Sequence, residues 1–539
     1  MGIYLNSIAP CSLYQSETRR SYFVDKSRFL EKIFPMLEEG NSHICITRPR
    51  RFGKTVMANM LGAFLSRGMD AKAIFDLLDI ARTDQYHRHL NQYNVIYIDF
   101  SKMDDTCSTY EDYISTIKIL MREDLREAYP EISFREYGSV QEDLVRVFAQ
   151  TRQKFVFVFD EWDCIFHKPF IHEEDKRKYI SFLSSLLKDQ PYVTLSYMTG
   201  ILPIAKYSSG SELNMFLEYT MASEEKFSED FGFTDQEVDM LYQRYVQNMP
   251  NPNVTREGLR FWYDGYYAKS GERLYNPRSV VASLSNNNLG SYWTSSGPYD
   301  EIFYYIEKNV ADVRNDLALM VSGEEVDARI QEYAATSMNL STKDEIFSAM
   351  VVYGFLSYHN GKVCIPNKEL MEKFDEMLRK EPAFGYMNRL AQVSQRMLRA
   401  TLEGDTATME EILEYAHNTE TPVFAYNHET ELSAIVNLVY LSAREQYRIE
   451  REDKAGIGYV DFIFYPEDKS AAGIILELKV DHSPEAAIQQ IKNKRYAMRF
   501  LGKLGEQRRL CGKILAVGIS YDRKTKHHQC RVEILNEER

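Results

Sequence analysis

The sequence predicts an α/β chain with two separate sheets, a parallel one in the N-terminal half and a smaller one near the C-terminal end. Three observations predict it. Residues 44–47 are an apolar strand that runs into Arg48-Pro49-Arg50-Arg51-Phe52-Gly53-Lys54-Thr55 and then into a helix. Residues 155–159 are five consecutive apolar residues, suited to a strand buried on both faces of a parallel sheet, and they end in Asp160-Glu161. Residues 458–480 hold two more apolar strands around a turn, with Asp461 in the first and Glu477 and Lys479 in the second.

The helix after the first loop is legible from Met57, Met60, Leu61, Phe64 and Leu65, which fall on one face. Strand, glycine-bearing loop and helix form a phosphate cradle. Backbone N–H groups at the loop and helix N-terminus face the phosphates, the Lys54 ammonium reaches the outer ones, and the Thr55 hydroxyl completes a Mg²⁺ shell. Arg50, Arg51, Phe52 and Gly53 belong to the same expected nucleotide-binding loop. The common spacing G-x-x-x-x-G-K-[S/T] begins with glycine, and this chain has Arg48 there. The competing reading is a solvated basic turn made of Arg50, Arg51 and Lys54.

The second strand weighs against that reading. Two carboxylates just past a buried strand sit where open α/β sheets place their ligands. Asp160 is the expected Mg²⁺ holder and Glu161 the group that polarises the attacking water, the Walker B arrangement. Residues 95–100, with Asp99 near their end, and 193–198, followed by Thr199-Gly200, are expected in the same sheet. Thr199 is the candidate sensor of the terminal phosphate; an ordinary strand-terminal threonine before a turn glycine is the alternative.

At 539 residues, with 44% hydrophobic and 27% charged content, the chain has room for several domains and lies outside the disordered and fibrous classes. No basic, apolar leader opens it and no apolar run is long enough to span a bilayer, so a cytoplasmic, membrane-free protein is expected. Seven scattered cysteines, never at C-x-x-C spacing, indicate neither a disulfide framework nor a zinc site. Net charge is −14, which argues against a globally basic nucleic-acid binder. Residues 426–539 nevertheless hold 19 Lys and Arg against 17 Asp and Glu, so phosphate-backbone contact is assigned mainly to that part.

Within it, Glu429-Thr430-Glu431 opens a helix whose apolar face is Leu432, Ile435, Val436, Val439 and Tyr440. Asp461 and Glu477 follow on consecutive strands, and the alternation of Glu477-Leu478-Lys479 puts Glu477 and Lys479 on one face. Two carboxylates from adjacent strands ligate a hard cation such as Mg²⁺ through oxygen, and a lysine beside them orients or deprotonates water. An outward Asp with a surface Glu/Lys ladder is the alternative. The apolar strands around these charges favour a purpose for them. Ser483 is then expected to cap a helix from Pro484 that carries Gln490 and leads toward Lys494 and Tyr496, before a strand at residues 514–519.

The N-terminal half resembles the predicted AAA-ATPase-like family of bacteria. The resemblance rests on Tyr22-Phe23-Val24-Asp25-Lys26-Ser27, the loop from Arg48 to Thr55, Asp160-Glu161, Trp262-Tyr263-Asp264-Gly265-Tyr266 and Tyr275-Asn276-Pro277. The C-terminal end resembles the PD-(D/E)XK nuclease superfamily through Asp461, the Glu477-x-Lys479 triplet and the Gln490-x-x-x-Lys494-x-Tyr496 pattern. Glu431 matches the extra acidic ligand of the preceding helix.

The resemblances imply a P-loop NTPase (AAA-like) core over residues 1–225, a helical lid over 226–290, a helical middle region over 291–424 and a restriction-endonuclease-like α/β domain over 425–539. They imply ATP and Mg²⁺ as cofactors, with Mn²⁺ an alternative at the nuclease-like site, nucleic acid as partner and a homo-oligomer as the assembly. The implied catalytic set is Glu161, Asp461, Glu477 and Lys479; the implied metal ligands are Thr55, Asp160, Glu431, Asp461 and Glu477. The competing function is a nucleotide-dependent switch whose nuclease-like module only binds nucleic acid or a protein partner. Asp264, beside a turn glycine and among aromatics, is expected to serve packing.

Overall fold

The computed structural model describes the chain apart from residues 1, 103–106, 205–211, 222–224, 294–310, 322, 331–339, 341, 381–385, 419–428, 456–457, 469, 502–511 and 536–539. It divides into two compact units, one of Met1–Tyr305 with Asp327–Leu370 and one of Ile306–Val326 with Met371–Arg539. Residues 291–424 are shared between them.

The first unit is built on a parallel sheet of β1 (Ser42–Thr47), β2 (Asn94–Asp99), β3 (Phe155–Asp160), β4 (Val193–Gly200) and β5 (Leu217–Tyr219), in the order β2-β3-β4-β1-β5. Parallel neighbours need long crossovers, and helices supply them. Lys54–Leu65 follows β1, Tyr110–Ala128 and Val140–Thr151 lie between β2 and β3, and Glu173–Leu187 joins β3 to β4. Capping boxes at Thr109/Asp112 and Ser139/Glu142 start two of these, satisfying N–H groups that a helix start leaves unpaired. Every residue of β3 and β4 is buried, as central strands covered on both faces require. Because β1 lies between β4 and β5, the loops leaving β1 and β4 open side by side, with that of β3 next.

The middle of the chain is helical at Lys343–Tyr353 but also carries a hairpin of Ser357–His359 with Lys362–Cys364. Its turn runs through Asn360 and Gly361 at φ 49° and 81°. Asn-Gly at such a turn is its sequence signal, since both positions need positive φ. Of the middle region expected to be helical, residues 294–310 lie outside the described residues.

The second unit contains a mixed sheet of β6 (Tyr447–Ala455), β7 (Gly458–Pro466), β8 (Gly473–Val480), β9 (Ile514–Asp522) and β10 (His527–Leu535), adjacent in chain order. Only β8 and β9 pair in parallel, and the helix Pro484–Asn493 bridges them. That helix lies so close to the sheet that a Cβ on Gly518 would meet the Pro484 carbonyl oxygen at 2.4 Å. Ser483 holds the N-cap position as expected, but its side chain makes no capping bond; Pro484 at the first turn already lacks one of the N–H groups a cap would serve. The helix Glu429–Val439 buries Leu432, Ile435, Val436 and Val439, the face its periodicity marks. No helix among the described residues is long and apolar enough to cross a membrane.

Candidate functional site

The loop after β1 is held by groups from four directions within the first unit. Arg48 is buried, and its guanidinium donates to the carbonyl oxygens of Thr47 (2.7 Å), Tyr219 (2.8 Å) and Phe227 (2.9 Å) while lying 5.1 Å from the Phe231 ring. It therefore ties the loop to the edge strand β5 rather than lining the phosphate cradle. Pro49 packs against Gly354, the Trp293 indole donates to the Arg50 carbonyl at 3.1 Å, and the Phe52 carbonyl accepts from Gly232 N–H. The Phe52 ring stands edge-on to Tyr266 in the core, so only its backbone can serve a ligand. Gly53 holds φ 88° with open space where a Cβ would sit; glycine is required there by backbone conformation alone. Arg51 holds φ 72° and is exposed, Arg50 is half-buried.

Lys54 opens the helix as a buried residue whose Nζ donates to the carbonyls of Arg48 (3.0 Å) and Pro49 (3.1 Å). Burial raises the pKa of Glu161; the Lys54 charge opposes that rise and the Asp163 charge adds to it. At the end of β3, Asp160 is fully buried and its carboxyl is pushed up to about 7, first by burial and next by Glu161, against the pull of the Thr199 and Thr55 hydroxyls. Thr199 donates to Asp160 Oδ1, and Oδ2 is buried without a hydrogen-bond partner. Lys54, Thr55, Asp160, Glu161 and Thr199 thus converge at the ends of three adjacent strands. Glu161 sits at φ 51°, a left-handed conformation that costs a non-glycine residue about 1 kcal/mol or more and that clusters at functional sites.

Two residues of this region escape a sequence reading. Asp163 is buried and accepts from the backbone N–H groups of Ile201 and Leu202. Arg278, just after Asn276-Pro277, lies near Arg51, whose pKa is lowered first by burial and next by the Arg278 charge. Asp264 is buried, accepts from Gly265 N–H and faces Arg273 at 3.1 Å, a packing role.

In the second unit Phe462 pairs with Leu476, so Asp461 and Glu477 follow as the next opposed residues of β7 and β8 and share a sheet face. Asp461 Oδ2 accepts from Leu478 N–H at 2.7 Å. Glu477 is buried; its Oε1 accepts from Lys479 Nζ (3.2 Å) and from Gln490, and its Oε2 has no hydrogen-bond partner. Burial, then the Asp461 charge, push its carboxyl up to about 7, against the pull of Lys479. Gln490 reaches the Tyr496 hydroxyl at 3.4 Å. The Glu429–Val439 helix carries Glu431, whose side chain lies outside the described residues. Lys494 is the C-cap of the Pro484–Asn493 helix.

A buried carboxylate oxygen without a partner is costly, and a hard cation relieves that cost while restoring the ionised form. The acid–oxygen sets at Asp160 with Thr55 and at Asp461 with Glu477 fit a divalent ion in that sense. Among the described residues no group of three or more His, Cys, Asp or Glu forms a metal cluster, so such an ion would keep water or substrate oxygens in its shell.

The family model for predicted AAA-ATPases matches residues 14–209, and that for the PD-(D/E)XK nuclease superfamily matches residues 429–529. The chain is 25% identical over 287 residues to an uncharacterized protein from the vnfD 5' region of Azotobacter chroococcum, a span of 51% of each chain. It is 20% identical over 103 residues to the pH-response regulator protein palI/RIM9 of Candida albicans, 19% of this chain and 30% of that one. The chain therefore spans about half or less of the length of these curated relatives. Among solved structures, the Walker-type ATPase of Pyrococcus abyssi is similar at 10% identity and TM-score 0.38, over 65% of this chain and 94% of that one. The Aeropyrum pernix ORC2 protein in ADPNP–ADP complexes follows at 12% and 0.34, over 67% and 97%. With the parallel sheet and its loop in the first unit and the mixed sheet with its opposed acids in the second, this chain joins a predicted AAA-ATPase domain to a C-terminal domain of the PD-(D/E)XK nuclease superfamily.

Proposed function

We propose that the chain binds and hydrolyses ATP in its first unit and cleaves nucleic-acid phosphodiesters with a Mg²⁺-dependent site in its second. One observation carries the reading: each unit buries a carboxyl whose pKa is raised and which has one oxygen without a hydrogen-bond partner, Asp160 and Glu477. Asp143 and Asp163 also bury an unpaired oxygen, but only at Asp160 and Glu477 does this coincide with a carboxyl pushed up to about 7 among the described residues.

In the first unit the loop N–H groups and Lys54 bind the phosphates, and Thr55 and Asp160 would hold Mg²⁺, which neutralises phosphate charge when bound. Glu161 accepts the proton of the water that attacks the γ-phosphorus, the bond to the β–γ bridging oxygen breaks, and ADP leaves with that oxygen. Thr199 orients Asp160 and lies at the strand end next to it.

In the second unit Asp461 and Glu477 would hold the cation, with Glu431 a further proposed ligand, and Lys479 orients the attacking water and offsets charge at phosphorus. Gln490 fixes Glu477 by holding one of its oxygens. Mn²⁺ is the alternative ion, and a homo-oligomer in the cytoplasm is part of the same reading. The test incubates the purified chain with single- and double-stranded DNA and RNA, with and without ATP and Mg²⁺ or Mn²⁺, beside Lys54→Ala and Lys479→Ala. Phosphate release lost in the first variant and strand cleavage lost in the second support the reading; metal binding with no cleavage of any substrate leaves the nucleotide-dependent switch.

A further inference from the structure

We propose that Asp163, with the indole of Trp162, is a positioning residue for ATP hydrolysis, latching the segment that follows β3 to the segment that follows β4 so that Glu161 and Thr199 keep one fixed relation. The inference rests on the ATP-hydrolysing reading of the first unit.

The two segments are joined by several hydrogen bonds. Thr199 donates to Asp160 Oδ1, and Trp162 N–H donates to the Thr199 carbonyl at 3.0 Å. The Trp162 indole N–H donates to the Leu202 carbonyl at 3.2 Å, while Asp163 Oδ2 accepts from Ile201 N–H (2.9 Å) and Leu202 N–H (2.7 Å). Tyr179 donates to the Trp162 carbonyl at 2.8 Å, anchoring the latch to the helix Glu173–Leu187. Trp162 and Asp163 are both buried, and Gly200 leaves no room for anything larger: a Cβ there would lie 2.5 Å from the indole and 2.6 Å from Asp163 Oδ1.

Glu161 lies between Asp160 and this latch, and it is the one that carries the left-handed φ of 51°. A strained backbone persists only where its surroundings over-determine it. Here Asp160 is fixed on one side and Trp162 and Asp163 on the other, so the Glu161 carboxylate is aimed by bonds it does not itself make. Asp163 bonds to Ile201 and Leu202, and the phosphate loop meets this segment at the Gly200 carbonyl, which accepts from Arg48 N–H; removing Asp163 is therefore expected to act on the water-activating group more than on the phosphate cradle.

The experiment measures steady-state ATP hydrolysis and fluorescent-nucleotide affinity for the full chain, its Asp163→Ala, Asp163→Asn and Trp162→Phe variants, and Lys54→Ala as reference. Asp163→Ala is expected to lose about 10- to 100-fold in kcat, the effect of displacing a reacting group by about 1 Å, with KM and nucleotide affinity within about threefold of wild type. Asp163→Asn keeps an oxygen for both N–H groups and is expected to recover most of that loss. Trp162→Phe keeps the ring but loses the indole donor, and it should lower kcat with KM unchanged. A merely structural role would move affinity and kcat together, with Asn no better than Ala, and that pattern overturns the proposal. So does wild-type kcat in Trp162→Phe, which decides the matter if Asp163→Ala does not fold. Wild-type protein whose phosphate release is unaffected by Lys54→Ala would instead overturn the ATPase reading itself, and the latch with it.

Discussion

Lys54 Nζ donates to the carbonyl oxygen of Arg48, the residue standing where the common phosphate-loop spacing begins with glycine. The loop is thus closed on itself by its own lysine, while the Arg48 side chain binds the carbonyls of Thr47 in β1, Tyr219 in β5 and Phe227. A glycine could supply the first interaction through its backbone but not the second. The departure from the common pattern is a strut, and this explains why an arginine is tolerated at a position usually reserved for the smallest residue.

Arg48→Gly is therefore expected to destabilise the first unit by about 2–4 kcal/mol, although it restores the common spacing, because buried carbonyls lose their donor. Arg48→Lys should fall between, since an ammonium does not reproduce the planar fork. Chemical denaturation followed by tryptophan fluorescence checks this; unchanged midpoints would show that the strut carries no stability.

Lys54→Ala is expected to weaken ATP binding and reduce hydrolysis by about 100-fold or more, since a charge aimed at the outer phosphates is lost. Glu161→Gln is expected to keep affinity and slow turnover by about 100-fold or more, the size of a lost general base. Nucleotide titration with phosphate-release assays separates the two, and equal affinity in wild type and Lys54→Ala would remove the loop from the site.

Asp461→Ala and Lys479→Ala should differ in kind. The first removes a ligand and is expected to lose metal binding and strand cleavage together. The second is expected to keep metal affinity and lose about 100-fold in cleavage rate, because an ammonium acts mainly on the charge developing at phosphorus. Mn²⁺ titration by electron paramagnetic resonance, beside a cleavage assay, reads both; cleavage that persists in Asp461→Ala and Glu477→Ala would identify a contaminant.

If the second unit binds a cation as proposed, Glu477 is expected to make that binding pH-dependent. Its folded value, about 7, lies above the ordinary 4.5, so its protonated form contributes to stability fully below pH 4.5 and that contribution is lost as pH rises through about 7. The groups facing it are Asp461 across the strands, Lys479 on its own strand and Gln490 from the helix. A cation must displace that proton, so Mg²⁺ affinity is expected to fall about tenfold per pH unit below about 7. Thermal melts with and without Mg²⁺ across this range should show stabilisation growing with pH in wild type and flat in Glu477→Gln; a flat wild type would refute the linkage.

The residues proposed for both sites are legible in the chain because each lies in a short, local pattern. Strand, glycine loop and lysine mark the first, and acids set into apolar strands mark the second. Period-two alternation alone places Glu477 and Lys479 on one face, and Met57, Met60, Leu61, Phe64 and Leu65 declare the helix behind the loop, all of them buried as expected. What the chain order does not contain is which distant segments meet. Only the tertiary structure brings Tyr219 and Phe227 to Arg48, Trp293 to the Arg50 carbonyl, and Ile201 and Leu202 to Asp163. These are single contacts across 38 to 243 positions, made by backbone carbonyls and N–H groups that every residue type possesses, so no residue pattern announces them. The side chains proposed for each site are local and written in sequence, whereas their fixed placement comes from long-range packing of generic backbone groups.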